Sequence, residues 1–264
     1  PDGSEIVYIR QPGAAGKPAP ILGGKHNPWK IVKTNIKSMV SKELWTAPKT
    51  LRGSYPRTQG GTNLHWASNR IVFLSYHDGW QHLYSISENG GKALLLTPGD
   101  FMCEYIKMSP DKKSILFTAN TGDDNYDIDR RHIVQVSVDK SDMKVLTNGI
   151  GLEWTPLVTG DLRHVAYISA TSTRPPLPTI LDLVSNEKKI LAENRIPDDF
   201  PSEKMVIPKQ IKFKSTDGIQ VYATKFEKNN NKKNKPAIIY IHGGPPTETT
   251  SISFLNSSVV VFEL

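Results

Sequence analysis

The stretch RIVFLSYHDGWQHLYSIS, residues 70–87, carries the pattern from which the fold of this chain is predicted. It holds two apolar, β-branched segments, RIVFLSY (70–76) and QHLYSIS (81–87), on either side of the turn signal HDG. Two mostly apolar sets of side chains alternate along the first segment, Ile71, Phe73 and Ser75 against Val72, Leu74 and Tyr76. Such a strand is expected to lie between two neighbouring layers of a larger β architecture.

The same pair of segments recurs along the chain at intervals of about 44 to 50 residues, apart from the first unit, which a Gly/Pro-rich insertion, QPGAAGKPAPILGGK (11–25), lengthens. Units of this length are typical of β-propeller blades. The earlier member of the other pairs is EIVYIR (5–10), SILFTAN (114–120) or HVAYISA (164–170), and the later member is WKIVKTN (29–35), RHIVQVSV (131–138) or PTILDLV (178–184). Three pairs are preceded by a short segment with Trp or Met, NLHWAS (63–68), YIKMSPD (105–111) and EWTPLV (153–158). Three or four short strands per unit predict a mainly β fold, a partial β-propeller of about four blades over residues 1–190.

The repeat ends near residue 190, where prolines and charged residues replace the strand pattern. We predict a linker at 191–208 and then a hairpin in IKFKSTDGIQVYATKF (211–226), which turns at its Asp-Gly pair. After a polar loop, AIIYIHGG (237–244) is apolar on both faces, as is typical of a strand buried in an α/β sheet. These features predict a second structural unit over residues 209–264.

Bulk properties exclude several classes of protein. The net charge of the 264 residues is +7, and residues 1–60 supply it with ten Lys/Arg against three Asp/Glu. Scattered lysines form a solvated surface, and no recognition motif accompanies them, so we predict no nucleic-acid partner. No apolar run is long enough to cross a bilayer. The single cysteine excludes an internal disulfide, and the seven histidines contain no H-x-x-x-H pair, so we predict no metal ion and no cofactor.

Two groups of residues are interpreted as structural. Four aspartates of TGDDNYDIDRR (121–131) have a spacing that lacks the glycine and the terminal glutamate of a calcium loop: Asp123, Asp124, Asp127 and Asp129. This favours a polar loop in which Arg130 and Arg131 pair with carboxylates. The five tryptophans recur near strand starts and are predicted to pack between blades rather than to form a ligand-binding cage (Trp29, Trp45, Trp66, Trp80 and Trp154).

The repeat, the linker, the hairpin and the segment PAIIYIHGGP (236–245) together resemble the prolyl oligopeptidase family of serine peptidases, most of all its dipeptidyl-peptidase and acylaminoacyl-peptidase branches. The resemblance covers residues 1–246, and DGWQHLYSI (78–86), IKMSPDKKSILFTAN (106–120) and DIDRRHIVQVSV (127–138) match its propeller strands. It implies that an α/β-hydrolase domain begins within 209–264 and carries a Ser–Asp–His triad further on. It also implies short peptide substrates, with a propeller that restricts access to the catalytic domain.

The resemblance places an oxyanion hole at His242, Gly243 and Gly244. The backbone N–H of Gly244 would stabilise the oxyanion of the tetrahedral intermediate, and Gly243 would give the chain room to turn. His242 stands where some relatives carry a tyrosine, and we expect it to shape the loop. Glycine lets the backbone approach a substrate carbonyl, and fixed N–H dipoles stabilise charge that develops only in the transition state. The alternative is a tight turn that leaves a buried strand.

The nucleophile of such a peptidase is missing from these residues, because no G-x-S-x-G occurs. We therefore expect a fragment or a shortened relative that does not hydrolyse peptides alone, with its triad beyond residue 264. The segment TETTSISFLNSSVVVFEL (247–264) is either a shortened approach to the next strand or an unrelated tail. No Glu-Glu pair, which captures the substrate N-terminus in the dipeptidyl-peptidase branch, is present; either it precedes residue 1 or the substrate class differs. A serine peptidase, a non-catalytic propeller that binds a peptide or protein partner, and an esterase on the same scaffold stay open.

Overall fold

The computed structural model of the chain describes residues 3–12, 26–56, 63–121, 130–227 and 238–239. Within these ranges the chain forms four successive antiparallel sheets and one separate hairpin. The first sheet is β1 (Glu5–Arg10), β2 (Lys30–Asn35) and β3 (Ser41–Thr46). The second is β4 (Leu64–Ala67), β5 (Arg70–Ser75), β6 (His82–Ser87) and β7 (Leu94–Leu95). The third is β8 (Cys103–Met108), β9 (Ser114–Ala119), β10 (His132–Ser137) and β11 (Lys144–Val145).

The fourth sheet is β12 (Leu152–Val158), β13 (His164–Thr171), β14 (Arg174–Asp182) and β15 (Lys188–Ile190), and the hairpin is β16 (Lys209–Lys214) with β17 (Gln220–Lys225). Within each sheet, strands that follow one another in sequence are hydrogen-bonded neighbours. Four successive sheets of three or four short antiparallel strands are what the sequence repeat predicts for propeller blades.

Strand β5 shows why the sheets pack face to face. Ile71 and Phe73 belong to an apolar cluster shared with the first sheet, whereas Val72 and Leu74 belong to a cluster shared with the third. Each of these four side chains is at most 1% exposed. Both faces of β5 are therefore core faces, as its uninterrupted apolar pattern predicts, and burial of both faces stabilises the stacked sheets.

Aromatic side chains fill the space between the first and second sheets. Trp29 is fully buried, and its ring centroid lies 4.7 Å from that of Trp45, 5.4 Å from that of Tyr55 and 5.9 Å from that of Phe73. Edge-to-face contacts at these distances are favourable beyond the area that they bury. The prediction that these tryptophans pack between blades is confirmed for Trp29 and Trp45.

The second and third sheets repeat the same hydrogen bonds 50 residues apart. The N–H of Leu83 donates to Thr97 Oγ1 at 2.9 Å, and the N–H of Ile133 donates to Thr147 Oγ1 at 2.8 Å. Each bond supplies a partner for a buried N–H at the point where the outermost strand has ended. The two sheets are therefore copies of one unit in detail as well as in outline.

The innermost strands of the third and fourth sheets also share an irregularity. Tyr105 in β8 and Thr155 in β12 have φ angles of 51° and 53°, and the pairing register shifts around each of them. An extra residue in one strand bends that strand locally and redirects its side chains. The bulge thus recurs at equivalent positions of neighbouring sheets.

The start of β14 differs from the predicted one. The sequence predicts a strand over 178–184, but β14 begins at Arg174 and includes Pro175 and Pro176. Pairing with β13 is irregular between Ser169 and Thr171, and pairing with β15 reaches no nearer than Thr179. The prolines therefore lie where the ladder needs no donor from them, which is the position at which a sheet tolerates proline.

The two ends of the sheets differ in their connections. One end, which we name the turn rim, is made of tight turns at 36–40, 68–69, 109–113, 159–163 and 183–187. The other end, the loop rim, includes the connections at 76–81, 96–102 and 146–151, and the chain leaves β15 at this end. Loops carried on a rigid sheet are where binding and catalytic residues are most often found.

Beyond β15 the structure becomes sparse in regular elements. Two single-turn 3₁₀ helices, Glu193–Arg195 and Ser202–Lys204, lie in the segment predicted as a linker. The hairpin of β16 and β17 turns at Asp217-Gly218, where Gly218 has a φ of 85°. In the ranges described, no helix has the length and apolar character needed to span a bilayer.

Candidate functional site

The oxyanion-hole residues inferred from the sequence, His242, Gly243 and Gly244, lie outside the described residues. The aspartates of 122–129 lie outside them as well. Their roles therefore stay predictions. The loop rim is where the described part of the chain concentrates buried polar groups, and it is built up below from its hydrogen bonds.

A buried ion pair closes the loop rim of the third sheet. Arg131 Nε donates to Glu104 Oε2 at 2.6 Å, and the two residues are 7% and 8% exposed. The carbonyl of Arg131 also accepts from the N–H of Glu153, which links the third sheet to the fourth. The pairing of Arg131 with a carboxylate is as predicted, although the partner comes from β8. Because both charges are buried, the contact between them offsets part of the cost of removing each from water.

A second polar network joins the third and fourth sheets. His132 Nδ1 lies 2.7 Å from Glu153 Oε2, and Thr147 Oγ1 donates to the same oxygen at 3.2 Å. Glu153 is 7% exposed and belongs to β12, whereas His132 begins β10. A carboxylate only accepts hydrogen bonds, so the imidazole and the hydroxyl are its donors. Oε2 therefore has two donors, and in the described structure no protein donor reaches Oε1.

A Ser–His contact in the second sheet has the appearance of a nucleophile and its base. Ser75 Oγ lies 2.8 Å from His77 Nδ1, and the ring of His77 packs against that of Tyr84 at a centroid separation of 4.4 Å and an interplanar angle of 33°. Ser75, however, is fully buried, so no substrate carbonyl can reach its hydroxyl. Burial also lowers the pKa of His77. This pair is structural, and the described residues supply no accessible activated serine at this position.

A cavity of about 270 Å³ opens on the face of the fourth sheet that packs toward the third. Its floor comes from β13 and β14 with Tyr167, Ser169 and Thr179, and Glu153 and Arg174 bring opposite charges to it. Ile190 also lines the cavity, at the point where the chain leaves the sheet. The cavity therefore lies at the loop rim.

The guanidinium of Arg174 is held by neutral partners. Its Nη2 donates to Ser169 Oγ at 2.8 Å and its Nη1 to the carbonyl of Ser169 at 3.2 Å, while Ser169 Oγ lies 2.7 Å from Thr179 Oγ1. Burial lowers the pKa of Arg174, and Glu193 and Glu153 oppose that shift. No carboxylate of the described ranges lies within ion-pair distance of this side chain. An arginine stays protonated in proteins, so the cavity keeps a cation without a directly bound counter-ion.

The phenol of Tyr167 lies in the same cavity. Burial, together with the nearby carboxylate of Glu153, raises the pKa of Tyr167 well above its usual range, so the phenol stays protonated and can donate a hydrogen bond. Sequence reasoning missed Glu153 and Arg174. The available signal was a charged residue at the start of the strand EWTPLV, where the equivalent position 50 residues earlier is Cys103.

Comparison with known proteins identifies relatives of this chain. The family described as the dipeptidyl peptidase IV (DPP IV) N-terminal region matches residues 31–176, which is more than half of the chain. Dipeptidyl peptidase 4 of Trichophyton tonsurans is 25% identical over 193 residues, which cover 68% of this chain and 24% of the relative. The chain thus spans about a quarter of the length of that curated relative.

Solved structures with the same fold include two peptidases. Dipeptidyl peptidase 4 of Porphyromonas gingivalis matches with a TM-score of 0.56 and 12% identity, over 75% of this chain and 28% of that chain. A puromycin-hydrolyzing peptidase of Mycobacterium tuberculosis matches with a TM-score of 0.58 and 12% identity, over 86% and 33% of the two chains. At these identities the likeness concerns the fold, and it confirms the prediction of a mainly β, partial propeller of about four blades.

Proposed function

Because this chain belongs to the family of the dipeptidyl peptidase IV N-terminal region, we propose that it is part of a serine peptidase that hydrolyses short peptides. In this proposal the four sheets form the part of the propeller that restricts access to the catalytic domain. Residues 209–264 would begin that domain, after a linker at 191–208. The chain would contribute the oxyanion hole, whereas the nucleophile would come from elsewhere in the protein.

One observation carries the proposal: the family match over 31–176 is followed in the same chain by a hairpin and then by PAIIYIHGGPP (236–246). An isolated His-Gly-Gly is compatible with esterases, lipases or a plain turn. Its position after a dipeptidyl-peptidase propeller favours a peptidase. The exit of the chain at the loop rim supports the same proposal, since a cavity with polar groups lies at that end of the fourth sheet.

The proposed chemistry of the loop follows from its residue types. The N–H of Gly244 would donate to the oxygen that becomes negative when a nucleophile attacks the scissile carbonyl. Gly243 would allow the backbone to turn close to the substrate, and His242 would shape that turn. Loss of one such donor lowers kcat by about 10²–10³ in comparable sites.

The test uses the product of the complete open reading frame that encodes these residues, beside the 264-residue chain. We expect a fluorophosphonate probe, which modifies activated serines, to label the complete product and to leave the 264-residue chain unlabelled. The complete product should hydrolyse dipeptidyl or acyl-amino-acyl anilides. Turnover of p-nitrophenyl esters alone would assign an esterase, and neither labelling nor turnover would assign a non-catalytic binding module. Specific labelling of the 264-residue chain would contradict the assignment of the nucleophile to another segment.

The oxyanion role of Gly244 is tested in the complete product by Gly244→Pro, which removes the backbone donor. We expect kcat to fall by about 10²–10³ with a much smaller change in KM, because the donor acts on the transition state. An unchanged melting temperature would show that the variant is folded. An unchanged kcat in a folded variant would sink the role of Gly244 and leave the family assignment intact.

A further inference from the structure

The cavity of the fourth sheet presents two opposite charges that are not joined in a direct ion pair within the described residues. Among the described residues, Arg174 is bonded only to Ser169 and to the carbonyl of Pro175. Glu153 uses one carboxylate oxygen for the two donors that the structure shows. Both residues line the cavity, yet they form no ion pair with each other within the described structure. Each charge therefore has hydrogen-bonding capacity left for a partner that enters the cavity.

Both groups are held in place before any ligand arrives. Arg174 is fixed by two bonds to Ser169, which in turn bonds Thr179 at 2.7 Å. Glu153 is fixed by His132 at 2.7 Å and Thr147 at 3.2 Å. A site whose charged groups are already ordered loses less conformational entropy on binding than a site on mobile side chains. The arrangement is therefore suited to recognition.

The pair of charges selects the class of ligand. A lone anion would be attracted by Arg174 but repelled by the carboxylate of Glu153, and a lone cation would meet the reverse pattern. The exposed Lys188 at the edge of the cavity adds a second positive group, and Glu193 lies close enough to Arg174 to influence it. A molecule with an ammonium at one end and a carboxylate at the other satisfies both fixed charges.

The available space agrees with a small zwitterion. A cavity of about 270 Å³ corresponds to roughly nine water molecules at about 30 Å³ each, which is enough for a short peptide. The phenol of Tyr167 adds a neutral hydrogen-bonding group to the cavity. Ile150 and Ile190 supply apolar surface for a small side chain.

We propose that this cavity is a binding site for short free peptides, with Glu153 receiving the ammonium and Arg174 receiving the carboxylate. The site stands on the geometry of the fourth sheet and does not require that the chain be part of an active enzyme. If the proposed peptidase function is correct, the ligands belong to the class of that reaction's products. The site would then bind a product of that reaction.

The experiment is a titration of the ¹⁵N-labelled 264-residue chain with alanyl-alanine, followed by amide chemical shifts. We expect saturable shifts concentrated in 148–153 and 167–179. N-acetyl-alanyl-alanine and alanyl-alanine amide, which each lack one charge, should bind at least tenfold more weakly, because each loses a charge-assisted hydrogen bond. These arms use the unmodified chain, so they do not depend on the folding of a variant.

Variants then assign the charges to residues. Glu153→Gln, which keeps an acceptor for His132, and Arg174→Gln should each weaken alanyl-alanine binding at least tenfold. Lys189→Gln is the matched control, because it removes one positive charge from β15 at a position that does not line the cavity. Equal affinity for the free and the capped peptides would overturn the proposal. A loss of affinity for only one of the two capped peptides would also overturn it, because both charges are required. Peptide binding and fluorophosphonate labelling are separate readouts, so either hypothesis can fail without the other.

Discussion

Three buried threonines differ in what their hydroxyl groups do, and a Thr→Val series isolates the contribution of those hydroxyls to stability. Thr97 Oγ1 accepts from the N–H of Leu83 at 2.9 Å, and Thr147 Oγ1 accepts from the N–H of Ile133 at 2.8 Å. Thr118 Oγ1 is buried and has no hydrogen-bond partner within the described residues. All three side chains are at most 2% exposed, so water cannot replace a lost partner.

The expected magnitudes follow from these partners. Thr97→Val leaves one buried N–H unpaired, which lowers the free energy of unfolding by about 1–3 kcal/mol. Thr147→Val has the same consequence and also removes a donor to Glu153, so its loss should lie near or above the upper end, about 3 kcal/mol. Thr118→Val removes a hydroxyl that is desolvated without compensation, so stability should stay unchanged or rise by about 1 kcal/mol.

The assay is urea unfolding of the 264-residue chain, followed by tryptophan fluorescence and far-UV circular dichroism. We expect the urea midpoint to be highest for Thr118→Val, lower for Thr97→Val and lowest for Thr147→Val. The m-value should stay constant, which indicates an effect on stability rather than on compactness. Thr118→Val is the matched control, since the chemical change is identical. Equal losses of unfolding free energy in all three variants would show that the hydrogen-bond partners of the hydroxyl do not determine the loss, and would refute the reasoning.

Three further predictions concern single residues. Gly53→Ala should destabilise the chain, because a Cβ there would overlap a backbone carbonyl oxygen, whereas Gly160→Ala, with open space around it, should change the unfolding free energy by less than about 1 kcal/mol in either direction; urea midpoints decide. The Arg163 guanidinium holds the pKa of the Asp182 carboxyl well below its usual range. The ionised carboxylate therefore stabilises the folded chain fully above about pH 4, and this stabilisation is lost as the pH falls through the folded-state pKa. Asp182→Asn should weaken the acid dependence of the unfolding free energy below about pH 4, and an unchanged acid profile would contradict this. Burial raises the pKa of Cys103 to about 12, so a thiol reagent at pH 8 should react only in urea, and rapid labelling of the folded chain would show that the thiol is accessible.

The strands were predictable because their signal is local. The segments 5–10, 70–76 and 114–120 predict β1, β5 and β9 to within one residue, since apolar β-branched runs between turn residues form strands irrespective of distant contacts. The start of β14 was predicted wrongly, at 178 rather than 174, because two prolines argue against a strand in any local interpretation. Their placement beside an irregularity in the ladder is a property of the assembled sheet.

The cavity could not be predicted by the same logic. Glu153 and His132 are 21 residues apart and meet only because the third and fourth sheets pack together. Arg174 follows a turn and precedes two prolines, a context that indicates an exposed loop rather than a cavity wall. A binding role for these charged residues can be inferred only when the sheet faces are known, because it depends on which other charged groups lie near them in the folded chain.

The repeat itself explains how a site arises on this scaffold. Cys103 and Glu153 occupy equivalent positions of their sheets. The N–H of each donates at 2.8 Å to a carbonyl of the preceding sheet, that of Gln81 just before β6 or that of Arg131 just before β10. At the earlier position a fully buried thiol packs into the core. At the later position a carboxylate lies 2.7 Å from a histidine of the neighbouring sheet and belongs to a residue that lines the cavity. The backbone geometry is the same in the two units, so a single change of residue type replaces a buried core residue with a charged residue that lines the cavity. Glu153→Cys should therefore preserve the fold and abolish peptide binding, because the fold already accommodates cysteine at this point of its unit.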